Sequence, residues 1–191
     1  MDDLAVWFRF VLAFLFLSTA WSKHKTMGEH IGVVRDYQLL PERLTEPFAK
    51  AETYVELLLG LLLLLGLFQP YAAAGSVVML LIYTGAITVN LWRGRTEMSC
   101  GCGGVAGLHR ISWKLVLRNL SLACAGAWVG AQNIPQGTID ALLAGVAWES
   151  AFDLRFAVIF GCSVLTMLAW TIANELGSIQ EEFRTLLEGK S

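Results

Sequence analysis

Two cysteines separated by one glycine stand in Ser99-Cys100-Gly101-Cys102-Gly103-Gly104, the stretch of this chain best equipped for chemistry. Joined to each other, their thiols would close a ring of only about eleven atoms, tight for a bond whose Cα atoms prefer a separation of roughly 4.4–6.8 Å. Gly101 gives the backbone the freedom to bend that far. Strained, exposed disulfides are the more oxidising and labile ones, so these residues suit a redox switch. Two other readings use the same atoms. One is a clip for a soft metal such as Cu(I), with His109 as a further ligand. The other is a pair of ordinary surface thiols.

The thiolate is the reactive form of cysteine, and a nearby cation lowers the thiol pKa. Lys23, Arg118 and His109 are the candidate cations. In an exchange reaction one cysteine forms a mixed disulfide with a partner and the other resolves it; the residues do not say which does which. Cys124 lies about 20 Å deeper than the pair along a straight helix. It and Cys162 are expected to be buried small hydrophobes.

The elements that must position these groups are membrane helices. The chain has 191 residues, of which 55% are hydrophobic and 16% charged, with a mean hydropathy of +0.57. Such a composition, with long uncharged apolar runs, belongs to membrane spans rather than to a soluble domain. There is no basic patch, zinc-finger spacing or Walker glycine loop to suggest a nucleic-acid or nucleotide partner. The first apolar run follows Asp2-Asp3 and is not followed by an A-x-A site, which argues for a span and against a cleaved signal peptide.

Five spans are expected, at about 4–21, 53–68, 71–92, 111–131 and 154–176, in one membrane domain covering 1–191. The expected fold is all-α: a four-helix transmembrane bundle plus a fifth transmembrane helix. Residues 21–52 form the first loop, in which Val33, Val34, Tyr37 and Leu40 fall at helical spacing, as in a segment lying along the membrane surface. Gln69-Pro70 is expected to be the tight turn of a helical hairpin. Residues 132–153 form a third loop whose apolar piece, 141–148, is too short to cross. The tail, 177–191, places Ile179, Phe183 and Leu186 at the spacing of a short amphipathic helix.

Five crossings put the first loop, the cysteine loop and the tail on one face. Lys23, Glu56, Asn90, Arg118 and Asn119, from four different spans, then approach the level of Cys100 and Cys102. A charge at membrane depth costs about 2.5–3.5 kcal/mol on insertion scales, so such groups face a partner or a cavity. Glu56 with Arg118 is the expected ion pair. A slot near Glu56, Asn90, Trp113 and Arg118 is the expected place for a second redox partner.

These residues carry a resemblance. Arg9 and Lys23 bracket the first span, Glu56 and Gly60 open the second, then come the cysteine motif and Trp113 with Arg118-Asn119 in the fourth. In that order they resemble the methylamine-utilisation MauE family, within the wider DoxX-like membrane proteins, over about the first 130 residues. The family's motif reads C-G-C-F-G, and here Gly103 stands where phenylalanine is expected. The resemblance implies a membrane partner for a periplasmic thioredoxin-like protein of the MauD type, active in forming or correcting disulfides of secreted proteins. A more distant similarity to vitamin K epoxide reductase and DsbB-type bundles implies, by analogy, a quinone as the onward electron carrier.

The resemblance implies a bacterial inner-membrane protein whose cysteine loop faces outside. Lysines and arginines point the other way. Lys23, Lys25, Arg35, Arg43, Lys50, Arg93, Arg95, Arg110 and Lys114 all fall on the cysteine face, against Arg9 and Arg155 opposite, and basic loops usually stay in the cytoplasm. An oxidised pair persists more readily outside the cytoplasm, and the outside placement is the one expected here. Besides an oxidoreductase, two other function classes remain: a Cu(I)-binding protein, and a membrane assembly factor or chaperone in which the cysteines are incidental.

Overall fold

The computed structural model describes residues 2–101, 110–132 and 134–188, with side chains described for 3–101, 110–132 and 134–177. Cys102 and His109 lie outside the described residues. The described chain is helical: α1 (Asp2–Lys25), α2 (Met27–Asp36), α3 (Glu42–Leu65), α4 (Gln69–Trp92), α5 (Trp113–Ala131), α6 (Ile139–Leu143), α7 (Trp148–Ala151) and α8 (Leu154–Glu188). Three of these helices, over Asp3–Lys25, Gln69–Trp92 and Leu154–Gly177, are long and apolar enough to cross a membrane. The protein is an all-α membrane protein. α3 and α5 are long as well, but each has charge within it: Lys50, Glu52 and Glu56 in α3, Lys114 and Arg118 in α5.

α1 is the central helix and packs against α3, α5 and α8, while α4 packs against α5 and α3. The main core joins Leu12 and Phe16 of α1, Leu59 and Leu63 of α3, Ala72, Ala73 and Leu80 of α4 and Ala123 of α5. Small side chains let α4 and α5 approach closely, the usual means of association where lipid removes the hydrophobic drive. A Cβ on Gly130 would lie 3.1 Å from Ala73 Cβ. A second core pairs α1 with α8 through aromatic rings, with Phe10 edge-on to Phe160 at a centroid separation of 5.1 Å.

Several boundaries differ from the sequence expectation. Most of the first loop is helix. The buried positions Thr45, Ala49, Glu52, Thr53, Glu56, Leu59, Gly60 and Leu63 form one stripe along α3, so the helical period already runs through the polar stretch before the apolar one starts. The turn between α3 and α4 lies at Gly66-Leu67-Phe68, ahead of Gln69-Pro70. Gly66 has φ +63, and the amides of Gly66 and Leu67 close onto the carbonyls of Leu63 and Leu62 at 3.3 and 2.9 Å. This is a Schellman ending. Pro70 sits in the first turn of α4, where a missing N–H costs nothing. The tail does not form a separate helix: α8 runs on without a break to Glu188. Cys124 and Cys162 are exposed on the outside of the bundle, contrary to the burial expected of them. Each occupies an outward position of its helix, where a small apolar thiol meets lipid as readily as protein.

Arg9, in the N-terminal part of α1, is fully buried. Its guanidinium donates to the carbonyls of Gln136 and Gly137 at 3.2 and 2.8 Å and lies over the Phe10 ring. The third loop is thereby folded back onto the bundle. The apolar piece expected at 141–148 is broken between α6 and α7, with Leu143 and Trp148 exposed.

Candidate functional site

α2 folds back over α3, and its spacing of His30, Val33, Val34 and Tyr37 turns one face towards the protein. Between that face, α3 and α4 lies a cavity of about 370 Å³. Its walls are apolar, with Val33, Val34, Leu39, Leu40, Phe48, Leu81, Ile82 and Ile87 prominent among them. One region of the wall is charged and comes from Lys23, His30, Glu52 and Tyr83; another is the cysteine loop, through Cys100 and Gly101.

The charged region is a compact network. Lys23, at the end of α1, is 5% exposed, and Glu56 only 2%. Lys23 Nζ donates to Glu52 Oε1 at 2.5 Å and to Glu56 Oε1 at 2.9 Å. The Tyr83 hydroxyl lies 2.7 Å from Glu56 Oε1 and 3.0 Å from Glu52 Oε1, and its one proton serves one of them. The Lys23 ammonium also sits over the Tyr83 ring, 4.7 Å from its centroid. His30 Nε2 lies 3.5 Å from Glu52 Oε1. One ammonium thus faces two carboxyl groups, with an imidazole alongside. Burying such charges is offset only when hydrogen bonds satisfy the ions on several sides, which this arrangement does for both Oε1 atoms.

The cysteine loop is tied down on both sides of Cys100. The Tyr37 hydroxyl donates to the Cys100 carbonyl at 3.4 Å, and the Gly101 amide to Ser99 Oγ at 3.2 Å. The Ile111 amide bonds the Met98 carbonyl at 2.9 Å, Ser99 bridges to Arg110, and Arg110 pairs with Glu97. Cys100 is half-buried beside a cluster of Tyr37, Ile87, Ile111, Leu115 and Val116. Gly101 has φ +68, and a Cβ there would lie 2.8 Å from Val33 Cγ1. Both the left-handed backbone and the contact with α2 demand glycine.

Of the residues expected at the site, Cys100 and Lys23 line the cavity and Glu56 joins it through Lys23. The expected Glu56–Arg118 pair is not formed: Lys23 holds Glu56, and the Arg118 guanidinium lies 3.4 Å from Asn119 Oδ1 on its own helix. The cavity found here lies under α2, and Glu56, Asn90, Trp113 and Arg118, the residues of the expected slot, are not among those that line it. Asn90 is buried and bonds the Ala86 carbonyl one turn back at 3.1 Å, Asn119 is buried on α5, and Trp113 is exposed; none of them lines the cavity. His30, Glu52, Tyr83 and Tyr37 were not anticipated. A signal for Glu52 was present: with Glu56 it forms an i, i+4 carboxyl pair, which shares one helix face.

Residues 1–132 match the family profile described as methylamine utilisation protein MauE. The methylamine utilization protein MauE of Paracoccus denitrificans is 32% identical over 166 residues, 86% of this chain and 89% of the relative. That of Methylorubrum extorquens is 37% identical over 165 residues, 83% and 87%, and that of Methylophilus methylotrophus 33% over 141 residues, 73% and 70%. No solved structure matches the chain. The aligned stretches of the first two reach beyond the profile and so include part of the chain after α5, and with the profile spanning α1 to α5 this chain belongs to the methylamine utilisation MauE family.

Proposed function

We propose that this protein is a membrane thiol–disulfide oxidoreductase in which Cys100 and Cys102 exchange a disulfide with a thioredoxin-like extracytoplasmic partner. The observation that carries the reading is the position of Cys100 on the wall of a cavity that Lys23, Glu52 and Tyr83 of the buried charged network also line. A half-buried thiol held by its own backbone bonds, with a cation and an imidazole lining the same space, has the surroundings of a reactive cysteine.

In the forward direction the Cys100–Cys102 disulfide is attacked by a partner thiolate, giving a mixed disulfide and one free thiolate here. The partner's second thiol then resolves the mixed bond. The partner leaves oxidised, and Cys100 and Cys102 are left as thiols. The two electrons and two protons they have gained pass to a further acceptor, for which the distant similarity noted above implies a quinone. α3 and α5 cross the bacterial inner membrane alongside α1, α4 and α8, and the cysteine loop faces outside. The relatives are named for methylamine utilisation, and on this reading the exchange supports the maturation of a disulfide-containing secreted protein used there.

The test is disulfide trapping in cells. Cys100→Ser and Cys102→Ser are each expressed in the parent background, and membranes are quenched with acid and resolved without reductant. The reading expects one of the two variants to accumulate a reducible adduct with a thioredoxin-like protein, and the double variant to lose function. Retained function in the double variant would leave an assembly factor with incidental cysteines as the correct description.

A further inference from the structure

We infer that the cavity beneath α2 is a binding site for a quinone, with His30 as the side chain that meets one of its oxygens. The inference rests on the oxidoreductase reading and assigns the onward acceptor a place.

The ligand class follows from what surrounds the space. At about 370 Å³ it lies within the roughly 300–1,000 Å³ range of small-molecule sites, which combine apolar walls with a few convergent polar groups. Apart from the Lys23–His30–Glu52 region the walls are aliphatic and aromatic, which suits a lipid-soluble ring with a polar edge. The polar side has one group to spare. His30 is 6% exposed and neither ring nitrogen makes a hydrogen bond among the described residues; Nε2 faces Glu52 Oε1 at 3.5 Å, and Nδ1 lies 3.8 Å from the point a Cβ on Gly101 would occupy. A buried imidazole nitrogen left unbonded is costly unless something fills the place. With Nε2 turned to Glu52, Nδ1 is the atom left for a ligand. Protonated, it donates to a quinone oxygen; neutral, it accepts from a hydroquinone hydroxyl.

Redox stoichiometry narrows the class further. When Cys100 and Cys102 return from thiols to a disulfide, an S–S bond forms, two S–H bonds break, and two electrons and two protons leave. A quinone takes up both pairs and departs as the hydroquinone. The two carboxyl groups facing one ammonium at Lys23 supply a place for a proton to wait. The other sizeable recess, about 460 Å³ between α1, α3 and α8, has Phe14, Leu17, Leu57 and Met167 in its walls and no charged side chain. It offers a lipid chain a surface but a quinone oxygen no buried partner.

The experiment uses the full-length protein in nanodiscs and measures saturable binding of decylubiquinone. Gly85 lines the cavity, and nothing lies within 4 Å of a Cβ placed on it, so the wall accepts a side chain there and Gly85→Phe adds bulk to it. Gly85→Phe is expected to weaken binding at least about tenfold with an unchanged melting temperature, and His30→Gln several-fold. Leu168→Phe, in the α8 recess, should bind as the wild type does. Absence of saturable binding to the wild type, or binding that survives Gly85→Phe but is lost in Leu168→Phe, overturns the inference. The two readings fail separately. Trapped mixed disulfides without quinone binding sink this site alone, and quinone binding without trapped adducts sinks the oxidoreductase reading.

Discussion

Lys23 Nζ lies 2.9 Å from Glu56 Oε1, with both side chains almost wholly buried, and joins the end of α1 to the middle of α3 beneath the cysteine loop. Glu52 completes the contact at 2.5 Å. Removing the cation alone would leave two carboxyl groups facing each other out of water. Breaking a buried pair from one side typically costs about 3–5 kcal/mol. Lys23→Met is therefore expected to lose most of its accumulation in membranes and to melt well below the wild type in detergent. Glu56→Gln keeps the Lys23–Glu52 contact and is expected to be milder. Thermal unfolding of the purified variants checks the order, and a Lys23→Met protein as stable as the wild type would refute it.

Gly101→Ala tests how the cysteine loop is held. A left-handed backbone costs a residue with a Cβ about 1–2 kcal/mol, and the added carbon would press on Val33 Cγ1. The variant is expected to fold, since the main core lies elsewhere, but to change the rate at which reduced Cys100 is alkylated. Val33→Ala in the same chain relieves the contact and not the backbone strain, so it should restore part of that rate. An alkylation rate in Gly101→Ala equal to wild type would show that the loop does not depend on this glycine.

Much of this organisation was legible in the residues. The helices were readable because apolar runs of membrane length have few other uses, and Lys23 and Cys100 could be placed at one level by counting spans. The cavity was not. It is walled by α2 and the first half of α3, where the buried stripe runs through Thr45, Glu52 and Glu56, and polar residues inside a helical stripe read as a loop. His30 shared that fate: a single histidine among charges gives no sign that α2 folds back and buries it. The Glu56–Arg118 expectation failed for a related reason. Depth along a span says which groups share a level but not which faces meet, and Lys23 on the neighbouring α1 was nearer than Arg118 on α5.

Arg9 fixes the opposite end of the bundle. Arg9→Ala would leave the Gln136 and Gly137 carbonyls without their donor, at about 1–3 kcal/mol for each buried group left unsatisfied. Arg9→Lys replaces a two-pronged donor with a point charge and should recover only part. Hydrogen exchange is expected to rise across 134–141 in Arg9→Ala. Alkylation at Cys100 should stay as in the wild type, because Arg9 lies about 21 Å from Lys23 along α1. Exchange unchanged over that stretch would mean that the third loop is held by other contacts.

The central claim is a reversible sulfur–sulfur bond between Cys100 and Cys102 that outside reagents can reach. The direct measurement is a membrane-impermeant mass-tagged maleimide applied to intact cells, in a Cys124→Ser, Cys162→Ser background that removes the two outward-facing thiols. The account predicts no tag before reduction and two tags after a brief treatment with an impermeant reductant. Two tags without reductant, or none under either condition while opened cells label fully, would contradict it.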